Sequence, residues 1–202
     1  MRKFFITGTD TNIGKTYVSI QLLQEFNQQG LKTIGIKPVA TDCINGYNAD
    51  ALLLQQHSSI KLDYSLINPF AFELPISPNI AALDLTVDKV WNSLQEALNT
   101  EADIYMIEGI GGWMTPLNHK ETMADLVKKF EDIEIILVVG IRLGCLNHAL
   151  LTYQAIKDAN LPIAGWIANI IDPSSHAINE NIATIKAYIT ESCLRVVNYE
   201  HN

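Results

Sequence analysis

A doubly wound α/β fold, with a mainly parallel sheet carrying helices on both faces, is predicted by three features of the sequence. Short runs that are apolar on both faces recur along the chain, helical patterns separate them, and the first run passes through a glycine turn directly into a helix. Strands without a polar face must be covered on both sides, and strands alternating with helices are joined by crossovers that leave neighbours parallel. The first run is Phe4-Phe5-Ile6, followed by Gly8-Thr9-Asp10-Thr11-Asn12-Ile13-Gly14-Lys15-Thr16 and a helix with core positions Val18, Leu22, Leu23 and Phe26. Gly30 is placed to end that helix as a C-cap glycine, and Thr33-Ile34-Gly35-Ile36 reads as a second strand, closed by Lys37-Pro38. A helical run over 51–54 starts from Asn48 or Asp50, and a proline-punctuated loop from Asn68-Pro69 to Ser77-Pro78 leads to helices near 80–83 and 89–98. Three more strands are expected, over 104–107 ending in Glu108, 135–139 ending in Gly140, and 163–168 ending in Asn169.

The 202 residues, 48% of them hydrophobic, suit a single domain spanning 1–202. A formal charge of −8 leaves no electrostatic footprint for nucleic acid or an anionic membrane, so a small-molecule partner is expected and any anion must be held locally. Cys43, Cys145 and Cys193 are too scattered for a disulfide framework or a zinc site and suit a reducing compartment. No signal peptide is expected before Phe4, and no apolar stretch reaches bilayer length, so the chain reads as soluble and cytoplasmic. The histidines at 57, 119, 148, 176 and 201 lack ligand spacing, and Trp91, Trp113 and Trp166 read as packing residues.

The strand-turn-helix context gives the first loop its chemistry. Successive N–H groups turn inward, and the positive end of the helix dipole stands behind them, so together they cradle phosphate oxygens. Lys15 reaches the outer phosphates, and the Thr16 hydroxyl is placed for a magnesium ion. Gly8 stands one residue earlier than the strict G-x-x-x-x-G-K-T spacing. In an open α/β sheet, ligands bind beyond the carboxyl ends of the strands. There the sequence collects Lys37, Glu108-Gly109-Ile110-Gly111-Gly112, Gly140 through Gly144, and Asn169. Glu108 can reach a phosphate-bound magnesium, and Asp50 is either a second carboxylate for it or a helix cap.

These segments resemble the dethiobiotin synthetases. The likeness is carried by Gly8-Thr9-Asp10-Thr11 with Gly14-Lys15-Thr16, Gly35-Ile36-Lys37-Pro38-Val39-Ala40, and Asn68-Pro69-Phe70. It continues through Glu108-Gly109 with Gly111-Gly112-Trp113, Thr115-Pro116-Leu117, and Leu143-Gly144-Cys145-Leu146-Asn147-His148-Ala149, so it runs from Arg2 to about Asn169. The resemblance implies a P-loop NTPase fold and ATP-dependent closure of a ureido ring, in which 7,8-diaminopelargonate (diaminononanoate) and carbon dioxide become dethiobiotin. It implies Lys37 and Lys15 as catalytic cations, and Mg2+ held by Thr16, Asp50 and Glu108. ATP is then expected on Asn12, Ile13, Gly14, Lys15, Thr16, Tyr17, Asp50, Glu108, Gly109, Ile110, Gly111 and Asn169. Substrate is expected on Thr41 and on the helix start at Gly144, Cys145 and Asn147, the latter contributed by the other subunit of a homodimer.

Three departures from the family pattern stand out. Asn12 occupies a position that is often acidic, and Thr41 replaces a commoner serine. The segment Leu194-Arg195-Val196-Val197-Asn198-Tyr199 lies where the family has a glycine- and proline-containing strand and loop that help hold the base, so adenine contacts there are expected to be reduced. The rival reading is a partitioning-type regulatory ATPase, which shares loop and sheet. Such a protein needs an attachment surface, and no basic stripe or terminal amphipathic helix is found; it usually also carries a second lysine in the loop, where this chain has Thr9 or Asp10.

Overall fold

The computed structural model describes residues 1–198; Tyr199 and His201 lie outside the described residues. Its main strands are β1 (Arg2–Gly8), β2 (Thr33–Ile36), β5 (Ile104–Glu108), β6 (Glu134–Ile141), β7 (Ile163–Ile170) and β8 (Cys193–Asn198), and they form one six-stranded sheet in the order β2-β5-β1-β6-β7-β8. Two-residue strands β3 (Val39–Ala40) and β4 (Phe70–Ala71) pair beside it. Among the described residues every pairing between these strands is parallel. The helices are α1 (Lys15–Gln28), α2 (Ala49–His57), α3 (Tyr64–Ile67), α4 (Pro78–Ala81), α5 (Val87–Leu98), α6 (Met123–Val127), α7 (Cys145–Asp158) and α8 (Ile178–Tyr188).

The strands divide their side chains between two cores. Phe4, Ile6, Met106, Ile136 and Val138 pack with Val18 and Leu23 of α1 and Leu54 of α2. Phe5, Tyr105, Ile107, Ile135 and Leu137 pack on the opposite face with residues of α5, α6, α7 and α8. That two-sided burial is why the strands are apolar throughout, and it is the doubly wound arrangement. The chain crosses from one side of β1 to the other between β5 and β6, which puts the switch point at the carboxyl end of β1. Among the described residues no helix is long and apolar enough to cross a membrane.

Local signals explain most boundaries. Gly30 at φ +79° ends α1 in a Schellman motif, its N–H bonding Asn27 O while Leu31 N–H bonds Phe26 O. Asn48, not Asp50, caps α2, its side chain accepting from Ala51 N–H, so Asp50 is released from that role. The helix expected near 80–83 lies at Pro78–Ala81, with proline in its first turn. Glu108 closes β5 as expected, whereas two strands run further than the apolar runs suggest, with Gly140 and Asn169 paired inside the β6–β7 ladder. The tail forms an edge strand, β8, paired with β7. Trp113 and Trp166 are buried, and Trp91 packs edge-on against Phe130, as expected of packing residues.

Candidate active site

Two strand ends and a helix start converge on one ammonium group. Lys37, directly after β2, is 5% exposed, and its Nζ donates to Asp50 Oδ2 at 2.6 Å and to Glu108 Oε1 at 2.8 Å. Glu108 is completely buried; it also accepts from Thr16 Oγ1 at 2.7 Å, and its Oε2 lies 2.9 Å from the Ser19 hydroxyl. An isolated buried carboxylate or ammonium costs several kcal/mol, so the cluster persists because each charge faces its opposite and the remaining lone pairs have donors. Burial opposes the charge on Lys37, but Glu108 and Asp50 together outweigh it and hold the ammonium above the ordinary lysine value. Burial likewise works against ionised Asp50, and Lys37 reverses it, keeping that carboxyl below the usual range.

Lys15, one helical turn from Ser19, behaves differently. It is nearly buried, donates to Asp10 O at 2.9 Å, and is lowered to about 8, because burial prevails over the attraction of Glu108 and Asp50. Gly14 enters α1 at φ +80°, a left-handed conformation that glycine adopts without a Cβ clash, and α1 has no side-chain cap. Its first-turn N–H groups are therefore open to an anion. Asp10 is tethered from outside the loop by an ion pair with Arg142, which follows β6.

A cleft of ≈ 770 Å³ opens over this floor. It is lined by Asn12, Gly14, Lys15, Thr16, Tyr17, Lys37, Thr41, Asp50, Glu108, Ile110 and Gly111, with Pro75 to Pro78 as the facing wall. The other expected residues are not in its lining. Ile13 points into the core, and its carbonyl accepts from Asn169 Nδ2 at 2.7 Å. Asn169, expected beyond its strand, is completely buried within it because the ladder continues through Ile170, and its Oδ1 has no partner. Gly109 gives its N–H to Ile6 O. Gly144, Cys145 and Asn147 stand at the start of α7: the Cys145 side chain is buried and its N–H bonds Arg142 O, Asn147 is exposed, and Gly144 is the N-cap.

The donor set suits a hard cation. Thr16 Oγ1, Asp50 and Glu108 offer oxygen only, and the charge now between the carboxylates is an internal cation, the Lys37 ammonium. Among the described residues no three His, Cys, Asp or Glu form a closed cage. The oxygen donors with their two carboxylates fit magnesium, which is usually held by one or two carboxylates plus phosphate and water. The orphaned Asn169 Oδ1 likewise fits a ligand N–H donor. Ser19 escaped the sequence reading, although a serine three residues after Thr16, on a face otherwise bearing Val18 and Leu23, was the available signal.

A family model described as an AAA domain matches residues 2–202. The ATP-dependent dethiobiotin synthetase BioD of Yersinia pestis bv. Antiqua is 45% identical, covering 98% of this chain and 85% of that protein. The protein of the same name from Aeromonas hydrophila subsp. hydrophila is 40% identical, covering 100% and 92%. Among solved structures, the septum site-determining protein MinD of Pyrococcus horikoshii, complexed with Mg-ADP, superposes with a TM-score of 0.60 at 17% identity, covering 98% of this chain and 82% of that one; at such identity the likeness speaks for the fold alone.

Proposed function

Because the chain belongs to the ATP-dependent dethiobiotin synthetases, we propose that the Lys37 cluster is where its phosphoryl transfer takes place. The enzyme is an ATP-dependent ligase of biotin biosynthesis: 7,8-diaminononanoate and carbon dioxide become dethiobiotin, and ADP and phosphate are released. One amine bonds to carbon dioxide and loses a proton, giving a carbamate. A carbamate oxygen attacks the γ-phosphorus, the bond to ADP breaks, and a carbamic-phosphoric anhydride forms. The second amine attacks its carbonyl carbon and loses a proton, phosphate leaves with the bonding pair and can take that proton up, and the ring closes. Ring closure is intramolecular, which favours it strongly.

The observation carrying this reading is the Lys37 ammonium, held charged at the cleft floor beside Lys15 and the open end of α1. Carbamate and triphosphate are both anions, and a preorganised cation where they meet offsets their repulsion and the charge of the transition state. An ammonium raised above its ordinary value acts as a fixed charge, not as a base. In this proposal Lys15 and the N–H groups of residues 12–17 orient the phosphates, Gly109, Ile110 and Gly111 flank the nucleotide, and Asn169 offers Oδ1 to the base. Thr41 contacts the substrate from the cleft wall. Thr16, Asp50 and Glu108 would hold magnesium, which when bound neutralises phosphate charge. Gly144, Cys145 and Asn147 would take the substrate carboxylate in the partner's site of a cytoplasmic homodimer, with 1–202 as one ligase domain.

The test is ATP hydrolysis measured with and without diaminononanoate and carbon dioxide. Turnover is expected only with both, because the carbamate is the phosphoryl acceptor. Equal hydrolysis without the diamine would instead fit a switch ATPase.

A further inference from the structure

A relay of hydrogen bonds starts on the Lys37 backbone and reaches the start of α2; Asn48 lines the cleft, while Tyr64 and Asn68 lie outside its lining. The Lys37 N–H donates to Ile67 O at 2.9 Å, and its carbonyl accepts from Asn68 Nδ2 at 2.7 Å. A carbonyl only accepts, so the Asn68 amide must turn Oδ1 the other way, where Tyr64 Oη donates to it at 3.0 Å. The same Oη accepts the Asn48 N–H at 2.7 Å. Asn48 caps α2 by accepting from Ala51 N–H at 3.2 Å, and its Nδ2 donates to Thr41 O at 3.1 Å. Asn48 and Asn68 are buried, at 6% and 3% exposure, so these polar groups have little recourse to water.

We propose that Tyr64, with Asn48 and Asn68, is a positioning residue for the ring-closing reaction: through one phenolic oxygen it sets the distance between the strand end carrying Lys37 and the helix start carrying Asp50, and through Asn48 it places Thr41. This rests on the assignment of Lys37 and Asp50 to the active site. Lys37 and Asp50 belong to separate segments, the loop after β2 and the first turn of α2, and Tyr64 Oη is the atom bonded to both sides of the gap. Burial pushes the Tyr64 hydroxyl up, so it remains protonated and able to donate to Asn68. A residue of this kind leaves nucleotide binding nearly intact and acts on the chemical step, because a small displacement of a transition-state charge is felt there first.

The experiment uses Tyr64→Phe, which removes a single oxygen, alone and combined with Asp50→Asn. The single variant is expected to lose roughly 10- to 100-fold in kcat, the usual effect of removing an outer-shell partner, while KM for ATP changes less than about twofold. In the Asp50→Asn background the same change should cost less than about threefold in kcat, whereas the shift in thermal midpoint should be equal in both backgrounds. A merely structural hydroxyl would give the same fold-loss in kcat in both backgrounds, and that result, or an unchanged kcat in folded Tyr64→Phe, overturns the proposal. Tyr47→Phe is the control, because that ring lies 4.7 Å from Tyr64 but its hydroxyl is outside the relay; it should keep full turnover, and a loss matching Tyr64→Phe would also overturn the proposal. Asn48→Ser is measured beside it, since serine still caps α2 while releasing Thr41 O: KM for the diamine should rise roughly fivefold, and no change counts against the relay. Full turnover by Lys37→Gln would instead remove the underlying assignment, a failure distinguishable from an inert Tyr64.

Discussion

The cluster around Lys37 and the start of α7 are both strand-end elements on the carboxyl side of one sheet, yet they are finished differently. Around Lys37, two carboxylates close on one ammonium within the chain, and a threonine and a serine hold one of those carboxylates. At α7, Leu143 is 94% exposed, Gly144 caps without a side-chain bond, and Asn147 faces solvent. The difference follows from what each region holds. Buried full charges need opposite charges beside them, so that part of the site must be complete on folding. A helix N-terminus carries only partial charge and is satisfied by water, so it can remain open until an anion reaches it. On the proposed function the first region would serve phosphoryl transfer, and the second would take a substrate group delivered at an interface.

That contrast can be broken most forcefully at Lys37. Lys37→Gln keeps a donor for Glu108 but removes the charge, and kcat should fall about 10²- to 10³-fold with KM for ATP much less affected. A variant that only weakens ATP binding would move Lys37 from the chemistry to the binding site. Next in size are Asp50→Asn and Glu108→Gln. Each should raise the magnesium concentration for half-maximal activity by at least about tenfold, read from magnesium titrations of folded protein; two unchanged titrations would take both residues off the metal.

Smaller effects sharpen the picture on the nucleotide side. Asn169→Ala removes the tie to Ile13 O and the free Oδ1, so KM for ATP should rise about three- to tenfold at little changed kcat, and discrimination against other bases should weaken. The smallest is a proton. Lys15 is lowered to about 8, so it is mostly charged at neutral pH and loses its proton as pH rises through that value. Binding a triphosphate favours the charged form, so calorimetry in buffers of different ionisation enthalpy at about pH 8.5 should register proton uptake on ATP binding, fading as pH is lowered well below about 8. Equal proton traffic at both pH values would mean that Lys15 does not meet the phosphates.

Much of the frame was legible because its signals are long. Five of the six sheet strands announce themselves as apolar runs, and Gly14-Lys15-Thr16 names its own loop. What escaped is short or ambiguous. Helix α3 and strands β3 and β4 have two to four residues each, too few for any periodicity. A polar residue at the end of an apolar run looks like a terminus, so Asn169 was placed beyond a strand that in fact passes through it. Asp50 at a helix start could cap or bind, and only the position of Asn48 shows that it is not the cap. Ser19 needed knowledge of where Glu108 would come to rest, which is a tertiary fact.

The decisive question is whether the open helix start serves a neighbour. A Cβ added at Gly144 meets nothing within 4 Å among the described residues, although its φ of +89° makes any other residue strained, so a bulky variant such as Gly144→Trp is a fair probe once shown to be folded and dimeric. Lys37→Gln and Gly144→Trp should each be nearly inactive alone. When the two are co-refolded, mixed dimers carry one site with an intact Lys37 from one chain and an intact Gly144 from the other, and turnover should reappear. If subunits demonstrably exchange and the mixture remains as inactive as its parents, the two regions do not meet across an interface, and the shared site is contradicted.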